Sequence, residues 1–254
     1  MEYFRTVVVG AFGLVIGSFT NVLIDRLPAG EDVFWGRSHC DHCKKQLRWY
    51  ELIPVLSYVL LGGRCMRCRK RLSLQYPLIE GITALGLFTA VALHRTEPLT
   101  AAAAFLFFLS FLVMLVTDAK TQILPDSMML LACISALLLL VLRGDFFLTG
   151  VSYLAAASGA ALFFFVLWGV TRGKGMGFGD VKLAFVMGLF LGFPKIVLAL
   201  YIAFLTGAIT GVILILVGHK TLKTKIAFGP FLIAGTAVAA YWSDIILSFW
   251  RTLW

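Results

Sequence analysis

The chain has 254 residues, of which 60% are hydrophobic and only 14% are charged. Together with a mean hydropathy of +0.93, this composition excludes a soluble globular protein, because so few polar side chains cannot cover a surface that faces water. The net charge of +9 does not indicate a nucleic-acid partner, since the topology of a membrane protein accounts for it.

Eight apolar stretches recur along the chain, and most approach the roughly 20 residues that a membrane-spanning helix needs. They are apolar on every face, whereas the strands of a transmembrane barrel alternate apolar and polar residues. The sequence therefore predicts an all-α fold, a polytopic transmembrane bundle of about eight helices. The stretches lie near residues 3–24, 76–93, 99–117, 127–142, 147–171, 181–193, 195–218 and 226–249. The two that meet at residues 192–195 could instead form one longer, kinked helix.

The first stretch lacks a strongly basic leader and a convincing small-residue cleavage site, so we expect a retained helix. With eight spans, 17 of the 22 Lys and Arg residues fall on one side of the membrane and five on the other. Loops rich in Lys and Arg stay in the cytoplasm. Both termini are therefore predicted to face the periplasm, and Arg64 to Arg71 could meet anionic head groups of the lipid bilayer.

A polar segment at residues 25–74 follows the first span and contains four of the five cysteines. They form two C-x2-C pairs separated by 21 residues, close to the spacing of a zinc ribbon: Cys40 with Cys43, and Cys65 with Cys68. A segment this short buries little apolar surface, so a structural zinc ion would supply folding free energy. Two disulfides are the alternative, although they seldom persist in the cytoplasm. His39 and His42 are expected to be solvated neighbours.

The next feature is a carboxylate, Asp118, at the cytoplasmic end of an apolar stretch. A helix C-terminus disfavours negative charge, so its position needs an explanation such as partial protonation or the nearby Lys120. Asp126 is different, because it follows Pro125 at a predicted helix start, where the helix dipole favours a carboxylate.

A second carboxylate, Asp180, closes a run with glycine at four alternate positions from Gly173 to Gly179. Such a backbone can adopt unusual φ/ψ angles and lie close to a bound extended peptide, although a flexible hairpin with a solvated aspartate would look the same. If packing brings Asp118 and Asp180 within about 3 to 6 Å, the two carboxyls share one proton and can activate a water for peptide hydrolysis.

Several segments occur together, and in the same order, in one known family. The chain resembles the type IV prepilin peptidases, which are bifunctional leader peptidases and N-methyltransferases of the G-x-G-D aspartyl protease class. The resemblance covers nearly the whole chain. It rests on residues 17–28 (GSFTNVLIDRLP), 38–43 (SHCDHC), 53–58 (IPVLSY), 63–68 (GRCMRC), 76–81 (YPLIEG), 124–126 (LPD) with Asp118, and 177–183 (GFGDVKL).

The resemblance implies that Asp118 and Asp180 are the catalytic pair and that the four cysteines of the C-x2-C pairs bind zinc. Gly177, Gly179 and Lys182 belong to the matching segment and are expected to support the site or the substrate. The resemblance also divides the chain into a first transmembrane helix (1–24), a cytoplasmic tetracysteine domain linked to methyl transfer (25–75) and a membrane-embedded aspartyl peptidase domain (76–254).

The implied substrates are prepilins and pseudopilins of pilus or type II secretion systems in the bacterial inner membrane. The enzyme would cut after the Gly that ends the leader, on the cytoplasmic side, and methylate the new α-amino group with S-adenosylmethionine. No short motif marks the residues that bind this methyl donor, and the sequence does not indicate the oligomeric state.

One residue departs from the family pattern, and another has two interpretations. Lys120 stands where many members have an acidic residue, so that position is expected to be dispensable or modulatory. Glu80, beside the cysteine segment, either forms a structural ion pair with one of its arginines or acts in methyl transfer.

Two other classes of protein remain as alternatives. Carboxylates and glycine-broken helices within a membrane also occur in proton- or cation-coupled transporters. The zinc loop alone would suit a non-enzymatic component of a pilus or secretion assembly. A transporter often has an inverted repeat, and the two halves of this chain show no convincing internal similarity.

Overall fold

The computed structural model describes residues 2–40, 42–144, 146–173, 175–217 and 227–252. These residues form nine α-helices, one short 3-10 turn at Trp49–Leu52 and two isolated β-bridges. The helices are α1 (Glu2–Arg26), α2 (Leu56–Leu60), α3 (Gln75–Leu93), α4 (Pro98–Thr121), α5 (Asp126–Leu142), α6 (Phe146–Val170), α7 (Phe178–Leu191), α8 (Lys195–Leu216) and α9 (Gly229–Thr252). The all-α prediction is confirmed.

Each of the eight predicted apolar stretches corresponds to one helix, and α2 is the described helix without a predicted counterpart. The alternative of a single kinked helix across residues 192–195 is wrong, because α7 ends at Leu191 and Gly192 has a φ of +68°. Four lysines that were counted on the basic side, Lys174, Lys220, Lys223 and Lys225, lie outside the described residues.

Six of the described helices are long and apolar enough to cross a membrane. These segments are Arg5–Arg26, Gln75–Leu93, Pro98–Thr121, Thr149–Val170, Lys195–Leu216 and Gly229–Ile246. Helix α5 is apolar but shorter, with 17 residues. Helix α7 has 14 residues, about 21 Å at 1.5 Å per residue, less than the roughly 30 Å of a bilayer core.

The chain forms two compact units, residues 1–109 and 110–254, with the division inside α4. In unit 1, α1 packs against α3 through two glycines one helical turn apart. A Cβ atom at Gly13 would lie 2.6 Å from the Cα of Ala84, and one at Gly17 would lie 2.5 Å from the Cα of Glu80. Only glycine allows two helix backbones to approach so closely. The Asn21 amide adds a hydrogen bond of 3.1 Å to the carbonyl oxygen of Tyr76.

In unit 2, the short helix α7 lies at the centre and contacts α5, α6, α8 and α9. Its residues Leu183, Ala184 and Met187 are completely buried. The start of α9 is held by aromatic packing, since the ring of Phe228 lies 5.1 Å from that of Phe204 and 6.3 Å from that of Phe164. These contacts determine where the polar ends of α4, α7 and α9 are placed.

The contact between α1 and α3 is open to a direct test. Gly17→Ala would drive a Cβ into the α3 backbone, and overpacking of this kind costs about 1 to 3 kcal/mol. We expect a lower midpoint of thermal unfolding in detergent. Gly10→Ala is the matched control on the same helix, because a Cβ there has nothing within 4 Å. Equal unfolding midpoints for the two variants would contradict the close approach.

Candidate active site

Asp118 lies in the last turn of α4 and is only 5% exposed. The backbone N–H of Gly229, the first residue of α9, faces its carboxylate. The Oδ2 atom is buried and has no hydrogen-bond partner among the described residues. Buried polar atoms are nearly always paired, so an unpaired carboxylate oxygen calls for a functional explanation. It suits an atom that binds a water, a shared proton or a substrate.

Asp180 is the third residue of α7 and is only 7% exposed. Its Oδ2 atom accepts a hydrogen bond of 3.3 Å from the backbone N–H of Gly177. A carboxylate in the first turn of a helix also interacts favourably with the positive end of the helix dipole. Asp118 lies close enough for its negative charge to act on Asp180. The fold therefore brings together two carboxylates that are 62 residues apart in the sequence.

The sequence predicted that the glycines before Asp180 would adopt unusual backbone angles, and the structure shows this for one of the four. Among its four glycines only Gly173 has a positive φ, at +70°, and Gly177 has an ordinary φ of −77°. Gly179 instead packs closely, since a Cβ there would lie 3.1 Å from the Cδ1 of Leu124. This contact joins the start of α7 to the connection between α4 and α5.

Lys182 and Asp126 make a second link between the same two segments. Their side chains form an ion pair of 2.6 Å, and the Lys182 ammonium lies 5.7 Å from the centre of the Phe178 ring. Asp126 is the first residue of α5, where the helix dipole favours it. Lys120 is exposed and two residues from Asp118, a separation at which helical side chains point to different faces.

Gly229 is a residue of the site that the sequence analysis missed. A Cβ atom there would lie 2.6 Å from the Oδ2 of Asp118, so only glycine lets the two approach. The available signal was the dipeptide Gly229-Pro230 just after a polar loop, because proline is frequent in the first turn of a helix. The dipeptide does not indicate which carboxylate the first turn of α9 contacts.

A candidate metal centre lies in unit 1. The Sγ atoms of Cys40, Cys43, Cys65 and Cys68 all lie within 4.8 Å of one another, and those of Cys40 and Cys68 are 3.9 Å apart. Tetrahedral zinc with bonds of about 2.3 Å to sulfur requires a separation near 3.8 Å. All four thiols are free, so the donor set fits a metal ion such as zinc, and the alternative of two disulfides is not observed.

The two cysteine pairs are built alike. In each, the first cysteine N–H donates to the carbonyl oxygen five residues on, and the residue four positions on donates back to that cysteine. Those fourth residues, Lys44 and Arg69, both have a φ of +54°. Backbone N–H groups of Cys68 and Arg67 lower the pKa of Cys65 to about 7, whereas burial raises the pKa of Cys40 to about 11. A bound cation would favour the thiolate at both positions.

Glu80 is buried near the start of α3, with 7% exposure. Its Oε2 atom accepts a hydrogen bond of 2.7 Å from the backbone N–H of Val55, and Ser18 also contacts the carboxylate. The expected structural partner was an arginine of the cysteine segment, whereas the observed partner is a backbone N–H of that segment. The exposed positions of His39 and His42 agree with solvated neighbours of the cysteines.

The described helices and the buried carboxylate pair define a multi-pass membrane protein with an aspartate site at helix ends. Comparison with known families gives two matches: residues 11–95 match the bacterial peptidase A24 N-terminal domain, and residues 103–212 match the type IV leader peptidase family. Among curated relatives, the prepilin leader peptidase/N-methyltransferase of Burkholderia pseudomallei is 35% identical over 90% of this chain and 82% of its own length.

Relatives with the same description occur in other bacteria. That of Legionella pneumophila is 32% identical over 99% of this chain and 96% of its own length, and that of Bacillus subtilis is 32% identical over 94% and 95%. No solved structure matches significantly. The chain belongs to the type IV leader peptidase family. This membership does not support the alternative of a transporter or that of a non-enzymatic assembly component.

The contact between Gly229 and Asp118 leads to a prediction about activity. Gly229→Ala would place a Cβ against Oδ2 and displace the carboxylate, and a displacement of about 1 Å can cost up to 100-fold in rate. We expect at least a roughly tenfold lower rate of leader cleavage. Gly159→Ala is the control, since a Cβ there meets nothing within 4 Å. Equal rates for the two variants would show that this contact is not needed.

Proposed function

We propose that this chain is a membrane aspartyl endopeptidase that removes the leader of type IV prepilins or pseudopilins and then N-methylates the new terminus. The observation that carries the peptidase half is the pair of buried carboxylates, Asp118 and Asp180, whose charges interact. The names of the similar proteins support both halves, since each is called a prepilin leader peptidase/N-methyltransferase.

Cleavage follows from the chemistry of two neighbouring carboxyls. Like charges at short range cannot both ionise comfortably, so one carboxyl keeps its proton. The ionised carboxylate takes a proton from a water, which attacks the scissile carbonyl carbon, while the protonated carboxyl donates to the carbonyl oxygen. The tetrahedral intermediate then collapses: the C–N bond breaks with its electron pair left on nitrogen, and the leaving amine takes the proton that the first carboxylate removed from the water. The unpaired Oδ2 of Asp118 supplies a free acceptor for that water or for the shared proton. No covalent bond to the enzyme forms.

The side of cleavage follows from the charge distribution, whereas the substrate follows from the names of the similar proteins. Of the 22 Lys and Arg residues, 17 lie in segments assigned to the cytoplasm, and Asp118 and Asp180 lie at helix ends on that side. A prepilin whose apolar helix lies in the bilayer would present its leader there, after whose final Gly the enzyme cuts. The protein acts in the bacterial inner membrane, with both termini in the periplasm, in a pilus or type II secretion system.

We assign methyl transfer to unit 1, which contains the segment that matches the bacterial N-terminal domain. S-adenosylmethionine supplies a methyl group: the amine nitrogen bonds to the methyl carbon, the carbon–sulfur bond breaks with its electron pair left on sulfur, and the amine loses a proton. Glu80 is a buried residue of this unit and is the candidate for a role in methyl transfer.

The tetracysteine cluster is proposed to hold one structural zinc ion. Four thiolates fill a tetrahedral coordination sphere, which leaves no position for a substrate and so favours a structural role. In the segment that surrounds the cluster, residues 31–60 include no buried residue except Cys40 among those described. Metal binding would therefore supply folding free energy that this segment does not obtain from an apolar core.

The catalytic pair is tested by substitution in purified protein with a prepilin as substrate. Asp118→Asn and Asp180→Asn keep the side-chain volume but remove the ionisable group, and each should abolish conversion to the shorter form, with a loss of at least roughly 100-fold. Asp126→Ala is the matched control: it removes an exposed ion pair with Lys182, which contributes about 1 kcal/mol or less. Normal cleavage by either asparagine variant would refute the pair.

The zinc proposal is tested by metal analysis of the purified protein. The parent should contain about one zinc ion per chain. A variant with all four cluster cysteines changed to serine should contain none and should show earlier proteolysis within residues 31–74. Cys133→Ser is the control, because Cys133 lies in α5, away from the cluster in the sequence. A parent protein without zinc would overturn the assignment.

A further inference from the structure

Residues 32–36 form an aromatic turn that folds back along α1. Helix α1 ends at Arg26, yet the ring of Phe34 in this turn lies 6.3 Å from the ring of Phe19. Phe19 lies two helical turns before the end of α1, which is about 10 Å along the axis at 1.5 Å per residue. The aromatic turn therefore brings the Phe34 ring back alongside the helix instead of away from it.

Hydrogen bonds hold the aromatic turn in shape. The Oδ1 atom of Asp32 accepts from the backbone N–H of Phe34 at 2.9 Å and from that of Trp35 at 3.2 Å, as in an Asx turn. The Arg26 guanidinium donates to the carbonyl oxygens of Asp32 and Trp35 at 2.9 and 3.2 Å. Gly36 has a φ of +120°, and a Cβ there would lie 3.3 Å from the guanidinium nitrogens. The last residue of α1 thus fixes the turn.

The two aromatic side chains of the turn are nevertheless exposed. Phe34 is 84% exposed and Trp35 is 81% exposed, although the backbone that carries them is fixed by four hydrogen bonds. Exposed apolar side chains that lie together mark an interaction surface. Phenylalanine and tryptophan are also the residues that amphipathic segments place at the boundary between lipid head groups and acyl chains.

Phe34 continues an apolar stripe of α1. The members of this stripe are exposed, and their spacings of four, three and four residues place them on one face of the helix: Val8, Phe12, Val15 and Phe19. The stripe lies within the candidate membrane span Arg5–Arg26, so acyl chains would surround it. Because Phe34 packs beside the last member of the stripe, it meets the same apolar surroundings.

We propose that the aromatic turn is an interfacial anchor whose partner is the lipid surface at the C-terminal end of α1. The charges fit this partner, since Arg26 holds the turn and Arg37 follows it. The charge distribution assigns this end of α1 to the cytoplasm, where the leaflet is anionic. The turn ends four residues before Cys40, so the anchor would tether the start of the cysteine segment to the membrane surface. Neither peptide cleavage nor methyl transfer gives these residues a role.

The first test replaces Phe34 in the full chain with the photoreactive residue p-benzoylphenylalanine. The larger side chain fits there, because Phe34 is exposed. The purified protein is reconstituted in vesicles of equal parts phosphatidylcholine and phosphatidylglycerol and irradiated, and the mass of the intact chain then reports lipid adducts. Since the side chain lies among lipids in the proposed anchor, we expect crosslinked chains that carry the mass of a phospholipid.

The matched control carries the same photoreactive residue in place of Trp49. Trp49 is 79% exposed in the same polar segment, but its ring packs against Tyr50 of that segment. We expect a severalfold lower yield of lipid adduct at position 49 than at position 34. Equal yields at the two positions would overturn the anchor, and so would adducts at position 34 that join two copies of the chain in place of lipid.

The second test uses the conservative variant Trp35→Phe. The chain contains six tryptophans, so the emission of Trp35 is taken as the difference between the parent and this variant in the same vesicles. Bromine atoms on the acyl chains quench a ring that enters the bilayer, and we expect brominated lipid to quench this difference more than that obtained with Trp49→Phe. A Trp35 emission that aqueous iodide quenches and brominated lipid does not would refute the anchor. Neither test involves a prepilin, so their failure would leave the proposed function intact.

Discussion

Among the described residues of unit 2, the two buried carboxylates each face a backbone N–H group at the beginning of a helix. Asp180 accepts from Gly177, which precedes α7, and Asp118 is faced by Gly229, which begins α9. A carboxylate beside hydrocarbon is unfavourable unless polar groups compensate for lost water. The N-terminus of a helix provides such compensation, because its first N–H groups have no partner within the helix and carry partial positive charge.

The packing of unit 2 positions these two helix starts. Helix α7 is short and buried, and glycine stands where the backbone comes close to a neighbouring side chain. Gly179 lies against Leu124, and Gly229 lies against Asp118. The aromatic contacts of Phe228 with Phe164 and Phe204 hold the start of α9 in place. One oxygen of Asp118 nevertheless remains unpaired, as expected for a group that acts on a water or a substrate.

The cysteine segment of unit 1 is stabilised differently. It contains exposed aromatic residues and few buried residues of any kind, so it depends on local hydrogen bonds and on the cysteine cluster rather than on an apolar core. The repeated hydrogen-bond pattern of the two cysteine pairs brings four thiols together, and the contact of Glu80 with Val55 ties the segment to α3. A cavity of this unit lies between these elements.

Much of this protein could be predicted from residue patterns alone. The apolar runs predicted the eight helices that carry most of the chain, although only six of those described are long enough to cross a bilayer. The C-x2-C spacing predicted each cysteine pair, because the two cysteines of a pair are close in the sequence. Asp118 and Asp180 could also be identified as candidate site residues from the sequence, since a charged group beside hydrocarbon is unfavourable in free energy. Only the tertiary structure decided that the charge of Asp118 acts on Asp180, that Gly229 faces Asp118, that Gly179 packs against Leu124 and that Glu80 contacts Val55. These are contacts between segments far apart in the chain, and they depend on how whole helices pack, which no local pattern encodes.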